Sequence, residues 1–220
     1  MDFVDSRARM VDSQLRPNAV TDSRIIQAML DVRREAFVPA AKRPLAYLDD
    51  DLLVSTPQSG GRYLMEPMIF ARLLQLADIS ADDLVLDVGV ATGYSAAVIS
   101  RLASAVVGLE SDAELAEQAS SSLMSEGYDN VAVFTGALEA GLTDQAPYDV
   151  IVVEGAVGQV PDSLLAQLRD GGRLVAVVQA GPVGHATLFR KIDSTCEGAV
   201  SFDANIRPLP GFARPQSFEF

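Results

Sequence analysis

The sequence predicts an α/β protein: a doubly wound, Rossmann-like, mostly parallel seven-stranded sheet, with an antiparallel pair at its C-terminal edge and a helical extension before it. Three observations carry that reading. From Leu84 onward, short aliphatic and β-branched runs alternate with stretches whose apolar residues recur at helical spacing. The run Val85-Leu86-Asp87-Val88 breaks into Gly89-Val90-Ala91-Thr92-Gly93-Tyr94, a small-residue turn between a buried strand and a helix. A second run, Val106-Val107-Gly108-Leu109, ends in Glu110.

The first 45 residues read as helical pieces. A segment through Met10 to Leu15 stops before Pro17, and Thr21 is the expected cap of a second segment carrying Ile25, Ile26, Met29 and Leu30. Phe37-Val38-Pro39 and Tyr47 punctuate an irregular region that packs over a sheet edge or over the pocket. The short apolar Leu52-Leu53-Val54 precedes Thr56-Pro57-Gln58-Ser59-Gly60-Gly61, a loop by composition. Glu66-Pro67 opens a helix, with proline tolerated in the first turn and Ile69, Phe70, Leu73, Leu74 and Leu76 on the buried side.

The alternation that follows predicts strand 84–88, helix 94–103, strand 105–110, helix 112–126, strands 131–135 and 148–153, helix 161–169 and strand 173–179. The stretch 136–147, with Gly136, Gly141 and Pro147, is expected as a short helix or loop. Residues Thr187 to Ile192 and Ala199 to Ile206 read as the antiparallel pair, with Cys196-Glu197-Gly198 near their turn.

No linker or composition shift divides the 220 residues, so one domain over 1–220 is expected: an extension over 1–80 and a sheet core over 81–220. Seventeen Lys and Arg against thirty Asp and Glu give a net charge of −13, with no basic cluster. Nucleic-acid binding is not expected, because it needs a positive surface to displace counterions from phosphate. The N-terminus is charged from Asp2 and no apolar run approaches the ~20 residues of a membrane span, so the expectation is a cytoplasmic chain. A lone Cys196 excludes an internal disulfide, and a lone His185 excludes a multi-histidine metal site; both read as structural, and no metal is expected.

The glycine turn and the acid lie 110 − 89 = 21 residues apart, about the ~20-residue offset at which a carboxylate reaches ribose hydroxyls in a βαβ nucleotide site. A dinucleotide fingerprint would need glycine at 89, 91 and 94, where the chain has Gly89, Ala91 and Tyr94. Asp87 adds negative charge where a pyrophosphate would need positive potential. S-adenosylmethionine suits the geometry better, because it has no phosphate and carries an ammonium and a sulfonium. Methyl transfer is the chemistry this implies, and strand-end residues Asp87, Gly89, Glu110, Gly136 and Glu154 are where ligands of such sheets bind.

Several strings resemble the protein-L-isoaspartate O-methyltransferase family of class I S-adenosylmethionine-dependent enzymes. They are Gln14-Leu15-Arg16, Arg34-Glu35-Ala36-Phe37-Val38-Pro39, Ala46-Tyr47-Leu48-Asp49-Asp50, the Val85 to Tyr94 motif, Ala146-Pro147-Tyr148-Asp149-Val150-Ile151-Val152-Val153, and Gln167-Leu168 followed by Gly171-Gly172-Arg173-Leu174-Val175. The resemblance implies repair methylation of isoaspartyl carboxylates in proteins or peptides. It places the turn Gly89 to Gly93, with Ala91 and Tyr94, at the methionine end of the cofactor, Asp87 at its amino group and Glu110 at its ribose.

The chain departs from the family where the acceptor binds. Where the family reads close to Gln-Thr-Ile-Ser, one residue, then Pro, this chain has Arg62-Tyr63-Leu64-Met65-Glu66-Pro67, so a thioether that cannot donate a hydrogen bond replaces the serine. The adenine-side Gly-Asp-Gly is Gly136-Ala137-Leu138, and the fourth strand is followed by Glu154-Gly155-Ala156 instead of small apolar residues. An ionised Glu154 would repel an isoaspartyl carboxylate; for a hydroxyl or amine acceptor, protein-borne or small-molecule, it is the candidate base. Arg62 and Tyr63 are candidates for the acceptor channel, Arg62 by pairing a substrate carboxylate. Two classes stay open: an active methyltransferase, or a cofactor-fold protein that binds a nucleoside or partner without methylating.

Overall fold

The computed structural model describes residues 2–55, 61–179, 181–193 and 195–212. Asp2 caps α1 (Phe3–Met10), its carboxylate accepting the amides of Val4 and Asp5 that the helix start leaves unpaired. A π turn over Val11–Leu15 and a 3-10 turn over Arg16–Asn18 continue it, so the segment expected over Met10 to Leu15 is the end of a longer helix whose start the Asp2 cap sets. Asp22, not Thr21, caps α2 (Ser23–Asp31): Asp22 accepts the Arg24 amide, while the Thr21 amide donates to Gln75 Oε1.

Next come 3-10 turns over Arg34–Phe37 and Ala40–Leu45 and a two-stranded antiparallel ribbon of β1 (Leu52–Leu53) and β2 (Tyr63–Leu64). All but Gly61 of the expected loop 56–61 lies outside the described residues. Helix α3 (Pro67–Ala77) begins at Glu66-Pro67 as the sequence predicts and buries Ile69, Phe70, Leu73 and Leu74.

The main sheet contains β3 (Leu84–Val88), β4 (Ala105–Glu110), β5 (Val131–Thr135), β6 (Tyr148–Val157), β7 (Leu168–Val178), β8 (His185–Ile192) and β9 (Thr195–Asp203). Their spatial order is β5-β4-β3-β6-β7-β8-β9, parallel through β7 and antiparallel from β7 to β9. Helices α4 (Tyr94–Ile99), α5 (Ala113–Glu126) and α6 (Asp162–Ala166) serve the crossovers. The chain runs outward from β3 to β5, then returns to β6 on the other side of β3. Such a reversal opens a crevice at the carboxyl ends of the two central strands, where ligands of open α/β sheets bind.

Some boundaries differ from the sequence expectation. Helix α4 stops at Ile99 and α6 is a single short helix. Strand β7 begins at Leu168, pairing with Tyr148 before a register shift at Gly171 (φ 74°). Cys196 lies within β9 opposite Lys191, because the reversal is made at Asp193 (φ 55°), and Ala204 to Ile206 leave the sheet. Residues 136–147 make two 3-10 turns, Leu138–Ala140 and Thr143–Gln145.

The most consequential difference is in β6. It continues through Glu154 to Val157 because Val152 faces Val175 while Ala156 faces Val177, leaving Val153, Glu154 and Gly155 to span what Ala176 alone spans on β7. A bulge of this kind re-aims side chains and recurs beside active sites.

Alternation divides the core. Val85, Val106, Val150 and Val152 pack with the N-terminal helices, and Leu86, Val107, Ile151 and Leu174 pack with α6 on the opposite face. No helix among the described residues is long and apolar enough to cross a membrane.

Candidate functional site

Three buried carboxylates converge at the switch point. Asp87, Glu110 and Glu154 end β3, end β4 and occupy the β6 bulge, each in phase with the valines that face the N-terminal helices. Asp87 and Glu110 are fully buried and Glu154 is 8% exposed. Asp87 Oδ2 accepts the Ser95 hydroxyl at 2.7 Å, but Asp87 Oδ1 and Glu154 Oε1 have no hydrogen-bond partner among the described residues. Burial pushes the Asp87 carboxyl up to about 7. Burial, and then the Asp87 charge, holds Glu154 well above the usual carboxylate range. Desolvated carboxyl groups such as these two retain protons unless a cation arrives.

The glycine turn supplies the cradle. Gly89 and Gly93 have φ of 90° and 97°, a conformation side chains oppose, and Ala91 at φ 48° points its amide at Glu110 Oε2 (2.8 Å). A β-carbon on Gly89 would lie 2.8 Å from Arg62 Nη2 and 2.8 Å from Leu209 Cδ1. Gly136 donates its amide to the Glu110 carbonyl at 2.9 Å and Ala137 is exposed. Leu138 is a core residue in the same cluster as Leu109.

Arg62, a candidate for the acceptor channel, is paired with Glu110. Its guanidinium is buried on Glu110, with Nη2 2.8 Å from Oε2 and Nε 3.2 Å from Oε1, and Nη2 also donates to the Gly89 carbonyl at 2.9 Å. Tyr63 is half-buried beneath the Arg207 guanidinium. It lines, with Arg34, Met65, Gly89, Tyr94 and Glu154, a tight cavity of ≈ 10 Å³, room for about one water centre.

Sequence reasoning gave Arg34 no task, yet it is one of the largest fully buried side chains. Its Nε donates to the Ala46 carbonyl (2.7 Å) and its Nη2 to the Met65 carbonyl (2.9 Å). The guanidinium lies 4.5 Å from the Tyr94 ring centroid. Burial lowers its affinity for its proton, and Nη1 and the Tyr94 hydroxyl lack hydrogen-bond partners among the described residues. Arg34 thus fixes the acceptor-side segment against the glycine turn. Leu209 was also missed. Its amide donates to the Ala156 carbonyl at 2.8 Å, and its side chain roofs Gly89 and Gly155.

Outside the site, His185 Nδ1 lies 2.9 Å from Asp203 Oδ1 and Cys196 is half-buried against α6. No cluster of His, Cys, Asp and Glu suited to a metal ion occurs among the described residues.

A family model described as protein-L-isoaspartate(D-aspartate) O-methyltransferase matches residues 6–205. The chain belongs to that family. A protein-L-isoaspartate O-methyltransferase of Koribacter versatilis is 41% identical over 209 residues, covering 95% of this chain and 92% of the relative. A protein-L-isoaspartate O-methyltransferase 2 of Pelobacter propionicus is 42% identical over 186 residues, or 84% of this chain and 79% of the relative. A solved protein-L-isoaspartate O-methyltransferase superimposes with TM-score 0.83 at 26% identity, covering 94% of this chain and 67% of that one. Met65 and Glu154 line the same cavity, and Arg62 donates to the carbonyl of Gly89, which also lines it.

Proposed function

We propose that this chain binds S-adenosylmethionine at the β3–β4 carboxylates and transfers its methyl group to the carboxylate of an isoaspartyl residue in a protein or peptide. The observation that carries this reading is the pair of buried carboxylate oxygens, Asp87 Oδ1 and Glu154 Oε1, that have no partner among the described residues, beside the cradle at Gly89. Such oxygens call for a cationic donor, and a phosphate-bearing ligand would meet the wrong charge. The residues present therefore fit the cofactor. Asp87 would hold its ammonium, Glu110 its ribose hydroxyls and the Gly89 to Gly93 turn its methionine end. When bound, it supplies an electrophilic methyl carbon on a positively charged sulfur.

The chain's own residues then have a small task. A substrate carboxylate is ionised at neutral pH, so positioning and exclusion of water carry the rate, together worth several kcal/mol. Met65, Phe70 and Leu209, all buried, keep the crevice dry. Glu154 in its acid form does not repel an incoming carboxylate and offers it an O–H donor, the kind of bond Met65 cannot give. Arg34 holds the Met65 backbone in place beside it.

The test is transfer of labelled methyl from S-adenosylmethionine to an isoaspartyl peptide and to its normal aspartyl counterpart. The reading expects base-labile methyl ester on the first peptide alone. Cofactor binding without ester on either peptide would favour the non-methylating class.

A further inference from the structure

Glu110 is a saturated acceptor. Its Oε1 takes the Ser111 and Asp112 amides, the Ser111 hydroxyl and Arg62 Nε; its Oε2 takes the Ala91 amide and Arg62 Nη2. Four of those six donors belong to the turn after β3 or to the first two residues after β4. Among the described residues only Arg62 arrives from elsewhere, on a long side chain rooted just before β2 of the ribbon outside the main sheet. The ribbon's backbone is tied down by the Arg62 amide on Ser55 Oγ (2.7 Å) and the Val54 amide on the Arg62 carbonyl (2.9 Å). The guanidinium is thus delivered to one place, the space that the missing Gly89 side chain leaves open.

We propose that Arg62 is a built-in competitor for the ribose subsite: a nucleoside's vicinal hydroxyls and this guanidinium exclude one another on Glu110, so cofactor entry requires Arg62 to swing out. The inference rests on the cofactor reading above and adds to it a closed resting state. A ligand that binds only the open form has its affinity reduced by the fraction of molecules that are open. The closed state is a buried, bidentate, charge-assisted pair, with side chains 3% and 0% exposed, so the open fraction is small. Opening returns the guanidinium to water and transfers Glu110 from a cation to two neutral hydroxyls. The displaced Arg62 stays near the acceptor face of the cavity, since its neighbour Tyr63 lines it.

The experiment titrates S-adenosylhomocysteine into wild type and Arg62→Gln by calorimetry. Glutamine removes the charge and the bidentate fork, while Glu110 keeps its three amide donors and the Ser111 hydroxyl, so the fold survives. Binding by Arg62→Gln at least about tenfold tighter than wild type is expected, a difference of about 1.4 kcal/mol. A second measurement reads wild type alone: the Arg62 Nε–H resonance, assigned by through-bond correlation to the Arg62 backbone, is protected from exchange in the free protein and loses protection at saturating ligand. Wild type that fails to bind while Arg62→Gln binds also supports the competitor. Equal or weaker binding by Arg62→Gln, or a protected resonance at saturation, overturns it and leaves the cofactor reading intact. Failure of both proteins to bind overturns both.

Discussion

Asp87→Asn separates a buried carboxyl that keeps its proton from one that carries charge. The folded chain holds the Asp87 proton up to about pH 7, whereas the unfolded chain releases it near the usual 3.8. Between those values the native state binds the additional proton, so wild-type stability falls as pH rises. The slope is about 1.4 kcal/mol per pH unit. From about pH 5 to above about pH 7 the wild type therefore loses roughly 3 kcal/mol relative to Asp87→Asn, whose side chain has no charge to desolvate. Asparagine retains the volume and a partner for Ser95. Urea unfolding of both proteins followed by circular dichroism between about pH 5 and about pH 8.5 reads the difference. A gap constant across that range, or one moving in favour of wild type as pH rises, would refute the assignment of a protonated Asp87.

Three further outcomes are expected. Glu154→Gln should keep methyl transfer to an isoaspartyl peptide within about fivefold of wild type, because the amide keeps a neutral donor where burial holds Glu154 in its acid form; loss of transfer by orders of magnitude with cofactor binding intact would count against a protonated Glu154. Gly89→Ala places a β-carbon at φ 90° and 2.8 Å from two side chains, so it should cost about 1–3 kcal/mol in strain alone and abolish detectable cofactor binding; an unchanged thermal midpoint would show that the turn relaxes freely. Leu209→Ala removes the buried roof over Gly89 and Gly155 and should destabilise the chain by about 2–5 kcal/mol, with an unaltered urea midpoint as the contrary result.

The parallel sheet was legible because each central strand is buried on both faces and therefore continuously apolar, and because glycine and an acid break the pattern where β3 and β4 end. Phase was legible too: Asp87 lies two residues past Val85 and Glu110 four past Val106, which puts both carboxylates on one face. Glu154-Gly155 reads as the end of a strand, and only pairing with β7 shows that β6 bulges and continues. Arg62 was illegible for a related reason: no local pattern tells a cation which of two faces of a crevice it will enter, and its partner lies 48 residues away. Thr21 reads as the cap of α2, but Gln75, on α3, takes the Thr21 amide and the adjacent Asp22 caps the helix. Leu209 gave no signal at all, since an aliphatic residue between two prolines near a terminus has no period to read.

Calorimetric titration of S-adenosylhomocysteine into wild type, Asp87→Asn and Glu110→Gln goes to the root, because everything here depends on acidic strand tips holding a cationic nucleoside. One-to-one binding by wild type, severely weakened in Asp87→Asn and in Glu110→Gln, is the expected outcome. Undiminished binding by both variants would contradict it, as would a wild type that ignores this ligand and binds a pyridine dinucleotide.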